Sequence, residues 1–440
     1  MAIAQNSSSD VLARTPQQCA HGERCVLPRC MRNEQSRLDD TLQDTDTEDE
    51  FIKLSRREGR RKRRAARRLE KRQKRSDALG GMENVFAYSK LYKAGKKCCN
   101  GVRWKQSVQR FELRLFSGTA VRRRALINGS YRFSKYVHFT LRERGKIRPI
   151  DAPRIQDRQV EKVYTQLVLL PLYLPSMIYN NGASLPGKGF HFSQKMLAND
   201  LRKHFRKFKL KGGIALADGK KFFPSADHNH IRERHKHFIF NQGLKKFADA
   251  VLKTIQSDEG MPLGVEPSQA EMIAYPSGMD NYLKAQERLQ GGHYMDDFYN
   301  IVPPDRPHRK ILSTIQEQAT KSSFTLNPDK TRYVPFTKPF RFCKTKFIIT
   351  GSGRIIRRAN KKAVPRDRKK IKALYRKVMN GEITFEDVWT SVNGMLAYLE
   401  CYNEHNNILK LRRLFYSIFG FSCENYLEFK RRDRNAVRHD

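Results

Sequence analysis

An α+β fold is predicted by three features of the sequence. Two short apolar runs, Ile214-Ala215-Leu216-Ala217 and Phe298-Tyr299-Asn300-Ile301-Val302, have the length and content of buried strands. A further strand pair, residues 136–141 and 147–150, closes as a hairpin through Glu143-Arg144-Gly145. Toward the C-terminus the apolar period becomes that of a helix. Ile371, Leu374, Tyr375 and Val378 share one stripe, and Phe385, Val388, Trp389, Val392, Met395, Leu396 and Leu399 share a longer one, with Thr384 placed to cap it. A third apolar helix follows near Ile418. Strands gathered in the middle, with helices after them, make the class α+β rather than an alternating α/β pattern.

Residues 1–80 are predicted to be a poorly ordered extension. A Ser-, Thr- and Gln-rich start leads into an acidic patch at 39–50, and then into 56–75, where 13 of 20 residues are basic. The basic run is built of helix formers but has no apolar stripe, so it binds a polyanion or stays solvated, and the acidic patch is placed to fold back onto it. The whole chain agrees in sign. Its 87 Lys and Arg against 45 Asp and Glu give a formal charge of +42 over 440 residues, which implies a polyanionic partner whose binding weakens with salt. Residues 190–209 interleave bases with aromatics, as a surface that stacks on a nucleic-acid strand does, and equally as an amphipathic helix with a solvated basic face does.

No run approaches the roughly 18 apolar residues of a membrane span, and the most apolar segment, 167–178, is interrupted by Pro171 and Pro175. No signal peptide is expected. Of the eight cysteines, Cys19, Cys25 and Cys30 lie near His21, but at spacings that fit no common zinc site. Reduced thiols in a cytoplasmic protein are the expectation.

The chemistry concentrates in Tyr294-Met295-Asp296-Asp297, between Gly291-Gly292-His293 and the second apolar strand. A tight turn presents adjacent carboxylates to one site, where a regular strand would send them to opposite faces. Such a pair is costly unless a cation or solvent compensates it. By itself it also fits an ordinary polar hairpin tip. Asp218 ends the other apolar strand, so folding the two strands side by side would cluster three carboxylates, Asp218, Asp296 and Asp297. Hard oxygen donors of this kind suit two magnesium ions, with manganese as a substitute. Asp218 and Asp296 are expected to bridge the ions, Asp297 to be peripheral, and Gly219 to offer its carbonyl.

Around this tetrapeptide stand further strings in a fixed order: Lys146-Ile147-Arg148-Pro149, Asp157-Arg158-Gln159-Val160, Asp218 to Asp227 with Phe222-Phe223, Gly260-Met261-Pro262-Leu263-Gly264 to Gln269, Leu326-Asn327-Pro328-Asp329-Lys330, and Phe342-Cys343-Lys344-Thr345-Lys346-Phe347. Together they resemble the reverse transcriptases, in particular the bacterial and phage branch of group II intron, retron, diversity-generating and defence-associated enzymes. The resemblance covers roughly residues 130–350. It implies a right-hand polymerase fold: fingers at 81–210, a palm with a mixed sheet at 211–350, and a helical thumb at 351–440.

It also implies roles. Asp218, Asp296 and Asp297 would be the catalytic metal ligands of an RNA-directed DNA polymerase, and Lys330 would protonate or orient pyrophosphate, unless it is only a lysine in a polar turn. Arg148 and Lys146 would clamp the triphosphate, with Arg142 and Arg144 better read as solvated charges. Phe223 would lie under the sugar and exclude a 2′-hydroxyl, although at least one of Phe222 and Phe223 must pack inward. Gly264 and Gln269 belong to the loop and helix beneath the templating base pair. Two departures stand out: Gly219 replaces a larger apolar residue, and Leu263 replaces a glutamine, which points to relaxed base discrimination. The implied partners are an RNA template, dedicated and non-coding, a DNA or RNA primer, and deoxynucleoside triphosphates. A non-catalytic or maturase-like RNA-binding protein, and a template-independent or RNA-synthesising relative, are the alternatives.

Overall fold

The computed structural model describes residues 44–143 and 145–436, and of 44–57, 143, 146 and 433–436 only the backbone. The chain divides into two compact units, Met1–Arg64 and Ala65–Asp440. In the first, the described residues are helical and form the opening of α1 (Asp44–Asp77). The second holds the rest of α1 and every other element. Cys19, Cys25, Cys30 and His21 lie outside the described residues. Cys98, Cys99, Cys343, Cys401 and Cys423 are all free thiols.

The extension expected to run to residue 80 ends earlier. At the end of α1, Arg72 stacks over the Phe238 ring at 4.5 Å, and Ser76 is fully buried, its Oγ accepting from the Phe240 amide at 2.8 Å. Two residues suffice to tie this helix end down without an apolar stripe. After it come α2 (Gly81–Val85), α3 (Tyr88–Cys99), α4 (Gln106–Leu113) and α5 (Leu115–Ile127). The hairpin of β1 (Val137–Glu143) and β2 (Lys146–Ala152) is antiparallel, with Leu141 opposite Arg148. Val137, Phe139 and Leu141 alternate onto the face of Arg148 and are each about half exposed.

Helix α6 (Ile155–Tyr164) continues through a π-turn, Thr165–Leu169, into α7 (Leu170–Tyr173). Pro171 lacks the N–H that would continue a regular ladder there, and the wider turn accommodates the missing bond. Helices α2, α3, α6 and α7 share one core with the later helix α10. Helix α8 (Phe190–Phe208) buries Leu197, Ala198, Leu201 and His204 and leaves Arg202, Lys203, Arg206 and Lys207 exposed. The stretch forms an amphipathic helix with an exposed basic face.

The central sheet has the order β4-β5-β3-β6, with β3 (Gly213–Asp218) in its interior, β4 (Gln290–Tyr294) and β6 (Arg332–Pro335) at the edges, and β5 (Asp297–Val302) beside β3. A mixed sheet is expected from the resemblance, but the named strands pair antiparallel throughout. The parallel pairing found among the described residues is a bridge from Asn181 to His293 that covers the outer edge of β4, with the His293 amide on the Asn180 carbonyl at 3.3 Å and the Gly182 amide on the His293 carbonyl at 3.0 Å.

Alternation along β3 splits its side chains between two cores. Ala215 and Ala217 meet helices α9 (His228–Phe238), α11 (Glu266–Ala274), α12 (Ser277–Ala285) and α13 (His308–Lys321), while Ile214 and Leu216 meet α8 and the sheet of β7 (Phe340–Phe342), β8 (Thr345–Ile349) and β9 (Ile355–Arg358). Helix α10 (Gln242–Leu252) lies between α9 and α11 in sequence. Strand β9 thus carries this second sheet past residue 350.

Helices α14 (Ala363–Met379), α15 (Phe385–Glu400), α16 (His405–Phe419) and α17 (Tyr426–Ala436) close over a core of their own. Thr384 caps α15 as expected, its Oγ1 accepting from the Asp387 amide at 3.1 Å while Asp387 Oδ2 accepts from the Thr384 amide at 3.0 Å.

One buried carboxylate joins the first two cores. Glu271 of α11 accepts from the Tyr173 hydroxyl at 3.0 Å and faces His235 Nε2 at 2.9 Å. Removing it strands two polar partners in an apolar interior. Glu271→Ala should therefore lower stability by about 3–5 kcal/mol, measured by denaturant unfolding.

Candidate active site

The site begins with a register. Strands β3 and β5 pair so that Asp218 lies directly opposite Asp297. Beyond Asp297 the chain reverses in two residues, Met295 and Asp296, with Tyr294 paired to Asp297 across the hairpin. Met295 takes a φ of 53°, the left-handed conformation that a two-residue hairpin requires at its first position and that L-residues adopt at a cost of about 1–2 kcal/mol. The turn is tied to the end of β3 by the Gly219 amide, which donates to the Asp296 carbonyl at 2.9 Å. On the other side of β3, the Asn327 amide donates to the Asp218 carbonyl at 2.7 Å, and Gly219 bridges to Leu326. This brings Lys330 over Asp218, with Nζ 2.9 Å from Oδ1 and 2.8 Å from Oδ2.

The electrostatics follow from three acids at one sheet end. Burial, then Asp296, then Asp218 push the Asp297 carboxyl up to about 7, against the pull of Lys330. Asp296 is raised chiefly by burial and also by Asp218, and is held back by Lys330 and Arg148. Hydrogen bonding to Asp218 raises Lys330 in turn. Asp297 pairs with Asp218 across the β3–β5 ladder. Among the described residues no set of three or more His, Cys, Asp and Glu side chains is drawn closely enough together to hold a metal ion as it stands, and the Lys330 ammonium is the cation on Asp218. The donor chemistry nevertheless fits a hard divalent ion: the side chains offer oxygens, and burial with two neighbouring carboxylates disfavours a bare charge on Asp297 that a cation would offset.

The other expected residues are distributed around this rim. Arg148 on β2 is near enough to Asp296 to lower its proton affinity, while the Lys146 side chain and Arg144 lie outside the described residues. Phe222 is the inward ring of its pair, buried among Tyr275, Phe298 and Phe324. Phe223 is left half-buried, edge-on to Phe222 at 6.3 Å. That packing explains Gly219, where a Cβ would stand 2.9 Å from the Phe222 ring. Gly264 has a φ of 108°, and a Cβ there would stand 2.8 Å from the Asp151 carbonyl oxygen. The Asp151 amide also donates to the Leu263 carbonyl at 2.9 Å, so the 260–265 loop is docked on the fingers hairpin. Gly264 and Gln269 line one cavity of about 300 Å³ with Arg158, Glu161 and Ser184.

Three residues near the turn escape a sequence reading. The Cys343 thiol is buried against Asp297, and its ionisation is pushed strongly upward by burial and then by the two carboxylates. His293 and Asp280 form a buried pair, Nε2 to Oδ2 at 3.1 Å, directly behind the turn. The only sequence signal for these was proximity to motifs, since a lone His or Asp carries no periodicity.

Residues 138–347 match the family described as Reverse transcriptase (RNA-dependent DNA polymerase). The chain therefore carries a reverse transcriptase domain. A structure of telomerase from Candida albicans, in complex with the TWJ fragment of telomeric RNA, aligns with a TM-score of 0.43 and 14% sequence identity over 69% of this chain and 60% of that one. The chain thus spans less than two thirds of that telomerase chain. No curated protein sequence matches.

The raised Asp297 pKa has a definite sign for stability. The folded state keeps a proton, up to about pH 7, that the unfolded chain releases near pH 4, so rising pH through this window weakens folding. In chelator-treated buffer, the unfolding midpoint should fall between pH 5 and 8. Asp297→Asn should flatten that dependence, as read by thermal melts across the range.

Proposed function

We propose, on the premise that residues 138–347 are a reverse transcriptase domain, that this chain extends a primer with deoxynucleotides on an RNA template. The observation that carries this reading is the β3–β5 register, which places Asp218 against Asp297 and pins Asp296 beside them. These three carboxylates would hold two magnesium ions, with manganese as a substitute. When bound, those ions supply Lewis acidity that favours the primer alkoxide and offsets charge on the triphosphate and leaving pyrophosphate.

The chain's own groups supply the rest. Arg148, exposed on β2, offers two parallel donors to a phosphate. Lys330, an ammonium held on Asp218 at the same rim, would donate a proton or hydrogen bond to pyrophosphate. Phe223, half-buried, would set its ring under the sugar's 2′ position, and Gly264 with Gln269, which line one cavity, would form the floor under the base pair. Leu263 leaves that floor short of one polar contact, worth about 1 kcal/mol of base selectivity, so reduced fidelity belongs to this reading.

Among the described residues no helix is long and apolar enough to cross a membrane. A cytoplasmic enzyme of the intron, retron, diversity-generating or defence-associated kind, working with a dedicated RNA, completes the proposal. A non-catalytic RNA-binding role is favoured by one observation, the engagement of both Asp218 oxygens by Lys330. The same assay tests both readings.

Asp218→Asn or Asp296→Asn should reduce incorporation on a primed RNA by at least ~100-fold, about 2.7 kcal/mol in barrier, with folding and RNA affinity kept. Near-normal incorporation by either variant would sink the two-metal assignment, and no incorporation by the parent protein would favour the binding role. Phe223→Ala should raise the ratio of ribonucleotide to deoxynucleotide incorporation by ~10-fold or more, about 1.4 kcal/mol. An unchanged ratio with a lowered melting point would make Phe223 a packing residue.

A further inference from the structure

His293 is fully buried on edge strand β4, three residues before Asp296, its ring stacked on Phe298 at 5.1 Å and 23°. Its Nδ1 lies 3.1 Å from the Met295 carbonyl oxygen. A carbonyl only accepts, so the proton of this contact must sit on Nδ1. That fixes the ring's orientation. Its other nitrogen, Nε2, then faces Asp280 Oδ2 at 3.1 Å, a charge contact that attracts only with a second proton between the two atoms, and neither atom makes a hydrogen bond. Asp280 itself is buried on α12, a helix that packs on β4 and on α13.

The place of the Met295 carbonyl gives this chain of contacts its meaning. That oxygen and the Asp296 amide belong to one planar peptide unit, so holding the oxygen sets the plane from which the Asp296 Cα departs. The next peptide is held by Gly219, whose amide donates to the Asp296 carbonyl. Asp296 is thereby fastened through both of its flanking peptides, one to β3 and one to His293. The bond also supports Met295 in a backbone conformation that costs energy when unsupported.

We propose that His293, oriented by Asp280, is a positioning residue for the turn that carries Asp296. It touches no substrate. Its part is to hold the Met295–Asp296 peptide so that the Asp296 carboxylate points at the site, an inference that rests on the polymerase reading only for its catalytic consequence.

Two substitutions separate positioning from simple packing because they keep opposite halves of the imidazole. In His293→Asn the side-chain amide nitrogen falls near Nδ1, so the bond to Met295 survives and Asp280 loses its partner. In His293→Gln the amide reaches the Nε2 position, so Asp280 keeps a partner and the turn loses its bond. For dNTP addition on primed RNA, His293→Gln should lower kcat by ~10- to 100-fold with KM and RNA affinity within ~2-fold, while His293→Asn should stay within ~3-fold of the parent despite a lower melting point.

Amide hydrogen exchange over 294–297, in protein freed of metal, supplies a readout that does not need activity. Exchange should quicken in His293→Gln and stay close to the parent in His293→Asn. Losses of kcat that simply follow melting temperature in both variants, or parental exchange in His293→Gln, would overturn the positioning role. If the parent protein itself adds no nucleotide, the polymerase reading fails, and the exchange data alone still decide for or against the brace.

Discussion

Like charges gathered at one end of a sheet are the constraint that the neighbouring structure answers. Asp218, Asp296 and Asp297 are brought together by backbone pairing alone, because the β3–β5 register fixes two of them and a two-residue turn fixes the third. No side-chain attraction among them could do this. The ladder must therefore be rigid enough to withstand their repulsion, and β3 is: all six of its residues are buried, with an apolar core on each face and a hydrogen-bonded strand on each side. Lys330 and Arg148 then offset part of the charge, one from the loop after α13 and one from the β1–β2 hairpin.

Most of this arrangement was legible because its determinants are local. A strand ending in Asp, a hairpin with paired acids, and helices with apolar stripes and a Thr384 cap are written in runs of a few residues. What the sequence hid depends on partners far away in the chain. Which of Phe222 and Phe223 turns inward is decided by Tyr275, Phe298 and Phe324. Gly219 looks like a loss of strand rigidity until the Phe222 ring is seen against it. The basic helix has no apolar stripe, yet its end is fastened by one buried hydroxyl and one stacked guanidinium, contacts with Phe238 and Phe240 that no periodicity encodes. The pairing of β3 between β5 and β6 likewise joins strands far apart in the chain, which strand composition does not encode.

The fingers hairpin shows how function and packing share residues. Its apolar side chains Val137, Phe139 and Leu141 stay half exposed on the face that also carries Arg148. A face of that kind keeps apolar surface in water that the hairpin's own packing does not cover. The hairpin is docked at its base through Asp151 to the 260–265 loop, so movements of the hairpin and of that loop are mechanically connected.

The covered edge of β4 has a consequence beyond the site. An open edge containing two consecutive glycines, Gly291 and Gly292, would be flat, featureless and ready to add a strand from another molecule. Here the segment 180–182 pairs with His293 and closes it, while the opposite edge, β6, carries an exposed Arg332 and ends in Pro335, which has no N–H to offer. Both margins of the palm sheet are thus guarded against growth into a fibril. A protein that must keep a strained, charge-loaded turn at the end of its sheet is in this way spared the commonest route by which β-proteins precipitate.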